Sequence, residues 1–276
     1  MTRKNRLHPT ILLWDVAIYF LTWRLAMSNQ VVIIDNVYKK FYAPKRYIDA
    51  VNGISFDCHN GEIFGLLGTN GAGKTTLLRL LSSLMKPTSG RIEICGYNVE
   101  HNGQEVRRQI GVVSSNTQIY TKLTVKEAIQ LHGMLHGMNK KAIKERYEEL
   151  LSRLFLEAYT DTLVKNLSKG SQQKLCFACA TIHNPNIYIL DEPTSNLDIL
   201  GARSVSEFIL QSRNENKCII LSTHIMSEAE KLCDRIAVLH KGKMLAVGTL
   251  QELKDATKQK NLESIFFSLV QPERRG

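Results

Sequence analysis

Gly68-Thr69-Asn70-Gly71-Ala72-Gly73-Lys74-Thr75 gathers three glycines, a lysine and two hydroxyls into eight consecutive residues, a set suited to wrapping a polyphosphate. Backbone N–H groups reach phosphate oxygens at close range only where side chains are missing or φ is positive, and glycine permits both. Lys74 would set a cation against the β- and γ-phosphates, the Thr75 hydroxyl would ligate Mg²⁺, and Thr76 is a secondary phosphate contact. Gly68, Asn70, Gly71, Ala72, Gly73, Lys74, Thr75 and Thr76 are therefore candidate nucleotide-binding residues. The run follows strand-like EIFGLL and precedes helix-like TLLRLLSSL, the strand-loop-helix context that a P-loop requires.

Two further groups suit the same chemistry. The apolar run Ile187-Tyr188-Ile189-Leu190 ends in Asp191-Glu192-Pro193, so two carboxylates emerge from a buried strand at the edge where parallel sheets bind ligands. Asp191 can serve Mg²⁺, and Glu192 can orient or deprotonate an attacking water. Cys218 to Thr223 is another buried-strand pattern, and it delivers His224 to that edge. A histidine at a strand end is usually polar rim; beside a phosphate cradle it is a candidate contact to the γ-phosphate and the general base.

These side chains need a scaffold in which distant strand ends meet. From residue 31, short β-rich runs (VVIID, ISFDC, EIFGLL, RIEIC, IYIL, CIILS, RIAVL, MLAVG) alternate with helical patterns, which predicts an α/β fold around a mostly parallel sheet. Residues of about 116–183 lack strong strand signals and read as helices, VKEAIQLHGMLHG and KKAIKERYEELLSRLFLEAY among them. The expected organisation is an N-terminal extension at 1–27, a main domain at 28–250 with a helical subdomain inserted at about 116–183, and a helical tail at 251–276.

The complete set of motifs resembles the ABC transporter ATPase family. Leu167-Ser168-Lys169-Gly170-Ser171-Gln172-Gln173-Lys174 is similar to the family's signature, Ser195-Asn196-Leu197-Asp198 to its D-loop, and His224 to its switch histidine. The resemblance runs from about Val31 to Gly248, and the tail NLESIFFSL is similar to a segment of the ABC-2-type export branch, which includes sodium, drug and polysaccharide exporters. It implies a P-loop NTPase core with an antiparallel β region, and ATP and Mg²⁺ as ligands. It also implies a homodimer in which Ser168 and Gly170 of one subunit face the γ-phosphate held by the other. Asp198 would couple the two sites, and Phe41, with Tyr42 as a neighbouring alternative, would stack on adenine. The catalytic set is then Glu192, His224 and Lys74, with Thr75 and Asp191 on the metal. Separate transmembrane permease subunits are implied as partners, with no nucleic acid, and a place on the cytoplasmic face of the membrane.

Departures from the family pattern are Thr69, Lys169 and Ser171, none of which removes a catalytic group. Ser115 stands where the family has its Q-loop glutamine, with Asn116 and Gln118 as nearby amides. Of 276 residues, 43% are hydrophobic and 22% charged, the balance of a globular protein. The net charge of +10 is spread along the chain. Six scattered cysteines suit reduced thiols, and Cys176/Cys179 lack a second ligand pair for zinc. Residues 11–27 read ILLWDVAIYFLTWRLAM, which is interrupted by Asp15 and Arg24 and falls short of the ~20 apolar residues of a spanning helix. Two readings stand there: a translation start at Met27, or an interfacial helix. Two rival functions are an ABC-type ATPase acting on ribosomes or nucleic acid, and an ATP-binding regulatory module. Against the first, the chain has neither a second cassette nor a coiled-coil insertion.

Overall fold

The computed structural model describes residues 29–44, 46–114, 118–195 and 197–270. The 1–27 extension, Ser115 and Asn116 of the Q-loop, Asn196 and the last six residues of the tail lie outside the described residues.

Strands β1 (Gln30–Ala43), β2 (Arg46–His59), β4 (Ser89–Ile94) and β5 (Tyr97–Asn98) form one sheet, in the order β2-β1-β4-β5. β1–β4 and β4–β5 pair antiparallel. The second sheet has the order β10-β9-β3-β8-β7-β6 and is built from β3 (Ile63–Gly68), β6 (Ile110–Val113), β7 (Ile187–Asp191), β8 (Cys218–Thr223), β9 (Arg235–His240) and β10 (Lys243–Gly248). Its strands are parallel except for the antiparallel β9–β10 hairpin. An α/β fold with a mostly parallel sheet and an antiparallel β region is thus what the chain forms.

Every residue of β3, β7 and β8 is buried, as expected for parallel strands covered on both faces. Strand alternation divides them between two cores. Tyr188, Leu190, Ile219 and Leu221 face the helices α3 (Val125–Leu135), α4 (Lys140–Leu154), α5 (Lys169–Thr181) and α6 (Ile199–Asn214). Ile187, Ile189, Cys218 and Ile220 face the antiparallel sheet and α1 (Lys74–Leu81). A third cluster packs α8 (Leu250–Thr257) and α9 (Leu262–Val270) through Leu253, Leu262, Ile265 and Phe266 against Leu67, Ile236 and Val238. Helices α2 (Gly103–Gln109) and α7 (Met226–Leu232) complete the α-helices among the described residues.

Strand β6 and the helix that begins at Lys140 differ from the sequence expectation. Strand β6 went unread because it has four residues and contains Gly111. That glycine is required where it stands, since a Cβ would lie 2.5 Å from the Ala180 carbonyl oxygen on α5. The helix expected through Tyr159 stops at Leu154, where Phe155 turns left-handed with φ 54°, and a short 3₁₀ turn, Glu157–Tyr159, follows.

The helical layer is held by local chemistry. Thr124 and Glu127 form a reciprocal capping box at the start of α3, and Asn139, Ser168 and Asp198 cap α4, α5 and α6. Gly133 lets α3 meet α4, since a Cβ there would stand 2.8 Å from Ile143 Cγ1. His136, at the end of α3, stacks face to face on His183, with ring centroids 3.6 Å apart, and His183 Nε2–H donates to the Ile110 carbonyl on β6 at 3.1 Å. The imidazoles thereby tie α3 to the sheet. Burial, reinforced by His136, pushes His183 down to about 4 from an ordinary 6.5.

Because the folded value lies below the unfolded one, the unfolded chain takes up the proton first as pH falls. Stability is therefore lost from about pH 6.5 down to about pH 4. Thermal melts across that window are expected to show a falling Tm, and His183→Gln should flatten the dependence. Parallel pH profiles for the two proteins would refute the assignment.

Candidate functional site

The phosphate loop leaves β3 at Gly68 and enters α1 at Lys74, and close packing dictates its glycines. A Cβ on Gly68 would sit 2.6 Å from the Leu239 carbonyl oxygen, and one on Gly73 (φ +106°) 2.3 Å from that of Ala50. Gly71 (φ +80°) has nothing within 4 Å of its Cβ position and faces open space. Gly73 is also the N-cap of α1 and offers no side chain to the first helical N–H groups. Those donors are left for an anion at the positive end of the helix dipole. The resulting cleft measures about 430 Å³ and is lined by residues 69–76, Ile48, Asp49, Ala50, Glu192 and Lys241.

Lys74 is 5% exposed, and its Nζ donates to Gly68 O at 2.7 Å and Thr69 O at 3.2 Å. Burial lowers its pKa; Glu192 and Asp191 oppose that by stabilising the charge. Glu192 Oε1 stands 4.0 Å from the Lys74 ammonium and 3.0 Å from His224 Nδ1, so it is held between these two groups. Glu192 itself adopts φ 51°, an uncommon conformation for a side-chain-bearing residue. Its N–H donates to the Ser222 carbonyl at 3.1 Å, which fixes the turn that presents the carboxylate.

Asp191 joins three elements. Its Oδ2 accepts from Thr75 Oγ1 on α1 at 2.9 Å, and its Oδ1 from Ser222 Oγ on β8 at 2.5 Å. Parallel pairing sets Asp191 opposite Ser222, which brings β7 and β8 to the site in step. Gly68, Lys74, Thr75, Asp191, Glu192 and His224, expected from sequence, thus lie together.

Other expected residues lie elsewhere. Ser168, Gly170, Asp198 and Phe41 are not among the described residues that line the cleft. Ser168 Oγ accepts from Ser171 N–H at 3.1 Å, and a Cβ on Gly170 would meet only that hydroxyl, at 3.9 Å, so this helix start is open. Asp198 Oδ1 accepts from Gly201 N–H at 2.7 Å. Phe41 is 36% exposed on β1 with Lys39 Nζ 5.4 Å from its ring centroid, whereas Ile48 on β2 lines the cleft. Gln118 is exposed.

Sequence reasoning passed over Ser222 and Glu228. Glu228 Oε1 accepts from Thr194 Oγ1 and its Oε2 from Thr223 Oγ1, both at 2.5 Å, so one carboxylate clamps the turn that follows β7 to the end of β8. The signal was a serine one strand position before the Thr223-His224 pair, readable only once the two strands are known to be adjacent. Removing the Ser222 hydroxyl leaves Asp191 with one of its two hydroxyl partners. Ser222→Ala is expected to cut nucleotide hydrolysis about tenfold while costing about 1 kcal/mol in stability. Steady-state hydrolysis and urea unfolding measured side by side would check both, and unchanged turnover would refute the positioning role.

Residues 51–195, just over half of the chain, match the family described as ABC transporter. The ABC transporter ATP-binding protein NatA of Bacillus subtilis (strain 168) is 39% identical over 83% of this chain and 94% of its own length. The bacitracin transport ATP-binding protein BcrA of Bacillus licheniformis is 37% identical over 83% of this chain and 72% of its own. Among solved structures, an ATP-binding subunit of an ABC transporter superposes with a TM-score of 0.80 at 29% identity, covering 87% of this chain and all of that one. A dimeric ATP-binding cassette in a post-hydrolysis state with ADP and Pi gives 0.73 at 26% identity, covering 79% and 98%. The family match and these relatives show that the chain belongs to the ATP-hydrolysing, ATP-binding subunits of the ABC transporter family.

Proposed function

We propose that this chain is the motor of an exporter, acting as a homodimer on a separate transmembrane permease from the cytoplasmic face of the membrane. The observation that carries the reading is the Glu192 carboxylate, held between the Lys74 ammonium and the His224 imidazole beside the phosphate loop. A carboxylate so placed can accept a proton from a water aimed at the terminal phosphate, while His224 holds it in orientation. Lys74, the loop N–H groups and the start of α1 offset the charge of the phosphates.

Thr75 and Asp191 suit Mg²⁺. Their oxygens are 2.9 Å apart, which is about the edge of an octahedron with metal–oxygen distances of ~2.0–2.1 Å. When bound, the metal would neutralise charge on the β- and γ-phosphate oxygens.

Dimerisation accounts for the residues that stand outside the cleft. Ser168 caps α5 and Gly170 lies in its first turn with only the Ser168 hydroxyl near its Cβ position, the form of an anion-binding helix start. In the dimer each ATP would lie between Lys74 of one subunit and this helix start of the other, with Asp198 linking the sites and Phe41 against adenine. Two more observations support the dimer. Ile199 and Leu200, next to Asp198, are 87% and 76% exposed. The related cassette with ADP and Pi is itself dimeric.

Among the described residues no helix is long and apolar enough to cross a membrane, which fits a subunit that borrows its membrane path from a partner. We assign the docking surface to the helical segment of about 116–183, and residues 28–250 to the ATPase domain. Export is inferred from relatives such as the Nod factor export ATP-binding protein I of Rhizobium sp. (strain N33), 40% identical over 72% of this chain and 66% of its own.

Steady-state hydrolysis with and without Mg²⁺, run beside Glu192→Gln, tests the motor. Glu192→Gln is expected to bind ATP, to lose at least ~100-fold in turnover, and to accumulate as an ATP-dependent dimer in light scattering. A parent protein that binds ATP yet neither turns over nor dimerises would favour the regulatory reading instead.

A further inference from the structure

The P-loop lysine is not the whole cationic wall of the cleft. Lys74 is already engaged by two carbonyl oxygens and by Glu192, at the inner end of the site. A second lysine lines the same cleft: Lys241, on the turn between β9 and β10. It belongs to none of the motifs that carry the family resemblance.

Its position is built into the fold. The Gly242 N–H donates to the Ala72 carbonyl in the phosphate loop at 3.0 Å, and the Asn52 N–H on β2 donates to the Gly242 carbonyl at 2.8 Å. Lys241 (φ 46°) and Gly242 (φ 77°) are both left-handed. A Cβ on Gly242 would stand 2.8 Å from the Asp49 carbonyl oxygen. The turn is therefore wedged between the loop and β2, and a non-glycine lysine is held in a conformation that side chains seldom adopt. Among the described residues no carboxylate lies within ion-pair distance of Lys241. Asp49, the acidic group on that side of the cleft, sits 3.7 Å from Lys40 Nζ.

We propose that Lys241 is a nucleotide-binding residue whose ammonium meets the phosphates shared by ADP and ATP. It would act on the Ala72 side of the loop, with Lys74, Thr75, Asp191 and Glu192 attending the terminal phosphate. The assignment rests on the cleft being the ATP site. A partly exposed cation against phosphate is worth a modest, salt-screened factor in affinity.

Calorimetric titrations of ADP and of ATP with Mg²⁺ test it. Lys241→Gln should raise both Kd values about fivefold at ~50 mM salt, with the gap closing to under about twofold at ~500 mM. Lys241→Arg should stay within about twofold of the parent, because charge is what matters. Lys243→Gln, which removes an exposed lysine from β10 outside the cleft lining, should change nothing. Melting without nucleotide should be the same for all four proteins. Unchanged affinity in Lys241→Gln, an equal loss in Lys243→Gln, or an effect on ATP alone would overturn the proposal. A parent that binds neither nucleotide would overturn the reading of the cleft as well, whereas a parent that binds both with no Lys241 effect would leave that reading intact.

Discussion

The Asp191 carboxylate accepts a hydroxyl from α1 and another from β8 while standing at the end of β7. Three elements, one of them more than a hundred residues away from the other two, thereby converge on two oxygen atoms. Register makes this possible, because parallel pairing sets Asp191 opposite Ser222, and Leu67, next to the phosphate loop, opposite Thr223. A slip of one residue would turn every alternate side chain to the other core, so the two hydrophobic clusters that flank the sheet also enforce the alignment of the site.

The same economy governs the loops at that edge. Glu228 ties the turn after β7 to the end of β8 with its two oxygens, and the Glu192 N–H reaches back to the Ser222 carbonyl. Glu192 is consequently presented from a left-handed turn that the surroundings over-determine, the usual condition for an uncommon backbone conformation to persist. His224, 45% exposed, is the accessible partner of that carboxylate, and Lys74, 5% exposed, the buried one. The site thus has one wall set in the fold and one open to solvent.

The helical layer relates to the sheet through different physics. Capping boxes and Asn, Ser or Asp N-caps define where each helix starts. Apolar faces and the His136–His183 stack decide where the layer rests. Imidazoles that stay neutral through burial can stack without repulsion, whereas two protonated rings at the same spacing could not. The contact is therefore tied to the neutral state of its rings.

Wherever a short stretch of backbone sets the geometry, the sequence was legible. Gly68, Gly71, Gly73, Lys74 and Thr75 lie within a single turn, and the apolar runs before Asp191 and His224 announce buried strands, since period and composition are local properties. The capping pair Thr124 and Glu127 could be read the same way. By contrast, Ser222, Glu228 and Lys241 acquire their places only through strand order and turn packing. A serine in a strand, a glutamate in a helix and a lysine in a hairpin turn carry no local mark of what stands opposite them. Strand β6 escaped notice because the glycine that lets it lie against α5 weakens its strand signal. Residue type and spacing thus determined which chemistry this protein could perform, while the tertiary structure alone decided which side chains meet, because contacts between distant segments follow from the joint packing of two cores rather than from any one segment.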